Sequence, residues 1–230
     1  MRKVILLPVL GLAVACTNPN KADSAECDVV SGTITNADYE FKSGNFSCDT
    51  NPIDNPFDLN SGSFNTNAGL ATTDVIADFD VATDVWSEAG ADLTLTDGST
   101  SSTGMVVDDD GNHYTFMVDG YDPNDDGTDQ LATTYTWSVD GVTSDCDIRC
   151  YTDRRDSTSF NWVANATVTT GQHDLTYSLV HELGHCTGIA DQTAASTASD
   201  IMFGGYAPGT EFPGLSADEI EAVIFLYGGA

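Results

Sequence analysis

His181 and His185 stand four residues apart in the run His181-Glu-Leu-Gly-His185-Cys-Thr-Gly188-Ile-Ala-Asp191. On a helix of about 3.6 residues per turn, that spacing sets two imidazoles on one face, where both can bind the same metal ion. Glu182, next to the first histidine, leans towards the coordination position such an ion leaves open, where a general base would meet a metal-activated water. Gly188 lets the chain leave the helix with positive φ and turn back, so a donor three residues later arrives from a new direction. Asp191 holds that position and offers an oxygen at ordinary zinc distances. The chemistry implied is hydrolysis at a zinc ion held by His181, His185 and Asp191, with Glu182 taking and returning the proton.

Such a constellation needs a helix under it, and the sequence supplies one from about Leu175 to Thr187, stopped by Gly188. Upstream, Val75, Phe79, Ala82, Trp86 and Ala89 alternate spacings of four and three, one face of a long amphipathic helix that Gly90 ends. Leu93–Leu95, Met105–Val107, Tyr114–Val118 and Thr133–Val139 are short β-branched and aromatic runs between Asp, Gly and Asn turns. They read as strands of one sheet. Ser216-Ala-Asp-Glu219 has the form of a capping box, and Ile220, Val223, Ile224 and Tyr227 mark the buried stripe of a last helix ending at Gly228-Gly229. Mixed strands and helices of this kind make an α+β fold, and no internal repeat interrupts it. The folded domain is expected over 52–230, its first element within Ile53–Leu59.

The 230 residues carry 7 Lys and Arg against 36 Asp and Glu, a net charge of −29, which excludes binding to a nucleic-acid backbone. Hydrophobic residues make up 40% of the chain, enough to bury one sizeable core. Residues 1–15 read as an export signal, with Arg2 and Lys3 before an apolar run too short for a membrane span. Ala13-Val-Ala-Cys16 resembles a bacterial lipobox, which would make Cys16 a lipidated first residue; with Thr17 and not Asp following it, the outer membrane is the expected site, with plain secretion as the alternative. Residues 16–51 read as a polar tether in which Cys27 and Cys48 are the preferred disulfide pair. Cys146, Cys150 and Cys186 compete for a second bridge.

Taken together, the zinc-binding string resembles the signature of the metzincin zinc peptidases, in the minority form that ends in aspartate as in snapalysin-like enzymes. Ser199-Asp-Ile-Met202-Phe is similar to the family's Met-turn, whose methionine packs beneath the histidines without ligating. The wider chain resembles the matrixin branch: the long helix with Trp86, the Leu131-Ala132-Thr133 strand after a Gly/Asp loop, Asp174-Leu175 at the start of the zinc helix, and Leu215-Ser-x-Asp218 to Leu226-Tyr-Gly228 at the end. The resemblance covers about three-quarters of the chain. It implies a zincin-like fold in which a twisted mixed sheet and a long first helix lie above a cleft, with the zinc helix and a C-terminal helix below. It also implies a monomeric zinc endopeptidase acting on extended polypeptides, with Leu131, Ala132 and Thr133 as the edge to which a substrate strand adds. Phe203 to Thr210 would shape the specificity pocket, and Tyr206 would sit at its rim or donate to the oxyanion.

Other candidates concern structural ions. Asp122, Asn124, Asp126 and Asp129 alternate oxygen donors around Gly127 as calcium loops do, without the distal Glu of an EF-hand. Asp108-Asp-Asp110-Gly-Asn112 is a weaker version of the same pattern. His113 and His173 read as strand or surface histidines, a structural zinc being the alternative. The competing functional class is a calcium-stabilised binding or adhesion module of the cell envelope on the same fold, against which an intact Glu182 argues.

Overall fold

The structure, a computed structural model, describes residues 56–109, 111–122, 129–139, 142–192 and 199–228. The expected export signal, Cys16 and the expected tether with Cys27 and Cys48 lie outside the described residues, as do Ile53, Asp110, Asn124, Asp126 and Gly229.

The elements follow in the order β1 (Phe57–Leu59), α1 (Ser61–Ala68), α2 (Thr72–Ser87), β2 (Asp97–Thr100), β3 (His113–Val118), β4 (Ala132–Val139), β5 (Val142–Tyr151), β6 (Trp162–Val163), β7 (His173–Asp174), α3 (Leu175–Cys186) and α4 (Ala217–Tyr227). Five strands form one sheet in the order β2-β1-β3-β5-β4. Its neighbours run parallel except for β4, which is antiparallel to β5 and forms an edge of the sheet. The fold is therefore α+β, with a mostly parallel sheet. β6 and β7 make a separate parallel pair just before α3.

The core lies where α2 and α3 meet one another and the sheet. The periodic stripe of α2, Val75, Phe79, Ala82 and Trp86, is buried, as are Leu175, Leu179 and Leu183 of α3 and Cys146, Ile148 and Cys150 of β5. Trp86 fixes the two helices in register: its indole N–H donates to the Val180 carbonyl at 2.8 Å. A buried indole needs such an acceptor, so the bond orients the ring as well as satisfying it. The capping box of α4 forms as read, with Ser216 and Glu219 bonding reciprocally.

Several expectations need correction. The long helix is the second, not the first, and begins at Thr72. Ahead of it, α1 carries no apolar stripe, only Phe64 among its larger apolar side chains, and is set by Asn60, whose side chain accepts from Ser63 N, and by Gly69 at φ 71°. Leu93 and Leu95 are buried but lie outside any strand; the ladder instead uses the polar run Asp97–Thr100. Met105–Val107 is also no strand: Met105 is 61% exposed, and Val107 N donates to the Asp147 carboxylate at 2.9 Å instead of to a neighbouring strand. β5 carries no strand signal in the sequence because Asp145 and Asp147 stand where apolar residues would be expected. Both are fully buried and accept backbone N–H groups from Val107, Asp109, Tyr114 and Cys146, which is how a buried carboxylate is tolerated.

Candidate metal centre

α3 starts at Asp174, whose side chain caps Thr176 N at 3.0 Å and also accepts from Phe212 N at 2.7 Å. One residue thus starts the helix and holds the backbone at Phe212. At the other end the chain makes a Schellman turn: Gly188 N donates to His185 O at 3.1 Å and Ile189 N to Gly184 O at 3.1 Å, with Gly188 at φ 101°. Only a residue without Cβ adopts that conformation freely. The turn delivers two things: the Ile189 carbonyl to His185, and Asp191 to both histidines.

Each histidine presents Nδ1 to a backbone carbonyl, at 2.6 Å for His181 and Ile201 and at 2.8 Å for His185 and Ile189. A carbonyl only accepts, so Nδ1 carries a proton on both rings and Nε2 faces the site, where the neutral ring offers a lone pair to a metal and the protonated, metal-free ring offers an N–H to Asp191. Asp191 Oδ1 lies 3.3 Å from His181 Nε2 and 3.5 Å from His185 Nε2. Two donors each bonded to a tetrahedral zinc stand about 3.3 Å apart, so the two separations from Asp191 and the donor types are compatible with that ion. Among the described residues, this is the one group of three His, Cys, Asp or Glu side chains able to hold a metal, its donor atoms all within 4.8 Å. The donor set does not by itself dictate which divalent ion is bound.

The electrostatics agree with a tightly coupled cluster. Hydrogen bonds from His181 and His185 hold the Asp191 carboxyl far below the usual carboxylate range, although it is 56% exposed. Burial alone lowers the His181 pKa, but the Asp191 hydrogen bond, the Glu182 charge and the Ile201 carbonyl outweigh it and raise it.

Below the histidines, the turn carrying Met202 is built into the site. Met202 is fully buried, and its N–H donates to Glu219 Oε1 at 2.8 Å, while Glu219 Oε2 accepts from Ser216 N at 2.7 Å. The capping-box carboxylate of α4 therefore also holds the turn. Gln192 N donates to Met202 O at 2.7 Å and Gly204 N to Gln192 O at 3.3 Å, closing the segment after Asp191 onto the same turn. At the far end of α3, Cys186 is joined to Cys146 of β5, which settles the competition among three cysteines; Cys150 is a buried free thiol. Burial pushes that thiol well up, with the Glu182 charge adding to the effect.

Glu182 is 6% exposed and projects towards β4, where Thr134 Oγ1 donates to its Oε2. The expected edge is Leu131, Ala132 and Thr133; the strand begins at Ala132, and the residue that meets Glu182 is Thr134, which is not among them. A hydroxyl in a strand run carries no local signal of its partner, here 48 positions away. Tyr206 takes the packing position: its hydroxyl donates to Asp174 O at 3.0 Å and lies 3.0 Å from Ser178 Oγ, and its ring stacks on Tyr177 at 4.0 Å. That engages the hydroxyl at the start of α3.

The remaining candidates fall elsewhere. Asp122 Oδ2 accepts from Thr133 Oγ1 at 2.9 Å, whereas Asp129 accepts from Arg155 N at 3.1 Å and lies 4.0 Å from Arg154 Nε. Asn124 and Asp126 of the same loop, and Asp110 of the weaker one, lie outside the described residues. His113 is a strand residue with Nδ1 3.2 Å from Asp145 Oδ1. His173 stands at 3.1 Å from Arg154 Nη2, and burial with that charge pushes its pKa down to about 4. No protein-family model and no curated protein matches the chain, so the site is read from its own residues.

Proposed function

We propose that this protein is a zinc-dependent endopeptidase of the metzincin type, matrixin-like with an aspartate in the third ligand position, acting on extended or unfolded polypeptides at the cell envelope. The observation that carries the reading is the pairing of each Nδ1 with a carbonyl, which leaves both Nε2 atoms facing Asp191 while Glu182 sits alongside. A structural helix has no need to orient two imidazoles in this way. His181, His185 and Asp191 would hold the zinc, which when bound supplies Lewis acidity to a water and to the scissile carbonyl.

The chain's own residues do the rest. Glu182 takes the proton from the attacking water and passes it to the leaving nitrogen, so a single carboxylate serves first as base and then as acid. Its burial keeps bulk water from competing for that proton. β4 lies at the edge of the sheet next to Glu182, so an extended peptide can add to it as a further strand with little demand on side chains. Folded proteins, which lack free extended segments, are poor substrates on this account. The lipobox-like Ala13-Val-Ala-Cys16 supports the cell envelope as the place of action, with a lipid anchor as the membrane contact.

The test is incubation of the zinc-loaded protein with an unfolded polypeptide. Discrete fragments are expected, abolished by a chelator and restored by zinc. Stoichiometric zinc without any cleavage would favour a binding module on the same fold, and failure to bind zinc would remove the site itself.

A further inference from the structure

The edge strand and the candidate base are joined through one hydroxyl. Thr134 Oγ1 donates to Glu182 Oε2 at 2.5 Å and lies 3.1 Å from the Glu182 carbonyl oxygen. The register explains why this contact exists: Thr134 pairs with Ile148, a fully buried residue of β5, so its side chain falls on the sheet face that packs on α3. The main chain of the same strand stays at the sheet edge.

A glutamate side chain has three rotatable bonds, and one placed beside a metal has other positions open to it, towards the ion or out into the cleft. A donor fixed on a strand removes that freedom. We propose that Thr134 is a positioning residue for Glu182: its hydroxyl holds Oε2, leaves Oε1 as the oxygen that exchanges the proton, and ties the place of the base to the strand on which a peptide is laid. This inference rests on the peptidase reading. It adds a mechanical consequence, that a peptide bound along β4 steadies the base through the strand that recognises it.

Thr134→Val keeps the shape and removes the donor, whereas Thr134→Ser keeps the donor. Two readouts separate the contact from the activity. In the metal-free protein, denaturant unfolding of wild type, Thr134→Val, Glu182→Ala and the double variant forms a cycle. The two substitutions should be non-additive by about tenfold in the unfolding equilibrium constant, the size expected for a hydrogen bond to a charged group. Additive effects would overturn the inference whatever the activity. In the zinc-loaded protein, Thr134→Val should lower kcat by about tenfold with KM and zinc content unchanged, and Thr134→Ser should stay within about threefold of wild type. An unchanged kcat, or a change confined to KM, would also overturn it. If wild type cleaves nothing, the peptidase reading fails, and the stability cycle still decides the contact.

Discussion

Met202 packs its thioether against Gly184, the helix residue just before His185, and Trp86 closes on the same spot from α2. A Cβ added at Gly184 would overlap Met202 Sδ and stand 2.7 Å from Trp86 Cζ2. Glycine is thus required for close approach, at a position whose backbone is plain helix.

The direction of one substitution tests this. In a helix interior, alanine ordinarily stabilises over glycine by about 0.5–1 kcal/mol. At Gly184 the clash should dominate, and Gly184→Ala should destabilise by about 1–3 kcal/mol, as overpacking in cores does. Denaturant unfolding measures it, and zinc affinity should fall with it because Ile201, next to Met202, holds His181. A stabilised variant would show that Met202 and Trp86 do not press on the helix.

The Cys146–Cys186 bridge ties β5 to the residue after His185 and spans 40 positions. Loop-closure entropy gives such a crosslink about 4 kcal/mol. Replacing both cysteines by alanine should lower stability by about 2–4 kcal/mol. In the described part of the native protein, thiol reagents should find no reactive group, because Cys150 is buried with its pKa raised. After unfolding, that thiol should react. Rapid labelling of native Cys150 would contradict the packing described.

Burial pushes the Asp147 pKa up to about 7, with Asp145 and Asp109 adding their charges. A carboxyl whose folded pKa is raised above its unfolded value binds more protons when folded, so it stabilises most below the unfolded value and loses that contribution as pH rises through about 7. The stability advantage of wild type over Asp147→Asn should therefore shrink between about pH 4 and pH 8. Asp191, with its pKa lowered, acts in the opposite direction: its contribution is present above the ordinary carboxylate range and is lost as pH falls below it. Comparing unfolding midpoints of the two proteins at pH 5 and pH 8 checks the sign; an advantage that grows with pH would contradict it.

What could be read beforehand follows from how local each signal is. Helix α3, its glycine stop and the capping box of α4 depend on residues within a turn or two of one another, and each forms within a residue or two of the expected position. The stripe on α2 had the same legibility. β5 did not, because three of the four backbone donors that make Asp145 and Asp147 tolerable come from the segment 107–114, which no window around β5 contains. α1 and β2 are polar and short, held by Asn60 and by pairing with β1, so periodicity had nothing to detect. At the site, the residue types and spacing point to the three ligand candidates and the candidate base. The partners that orient them, the Ile189 and Ile201 carbonyls, Glu219 and Thr134, are set by the fold and carry no sequence mark of that role.

The central claim is that Glu182 moves the proton in a metal-dependent hydrolysis. The most direct measurement is the rate at which wild type and Glu182→Gln cleave an unfolded polypeptide at equal zinc occupancy. The glutamine keeps the shape and the Thr134 contact but cannot accept the proton, so a loss of at least about 100-fold is expected, the size of a general-base contribution. Equal rates in the two proteins would contradict the account, whatever the zinc content.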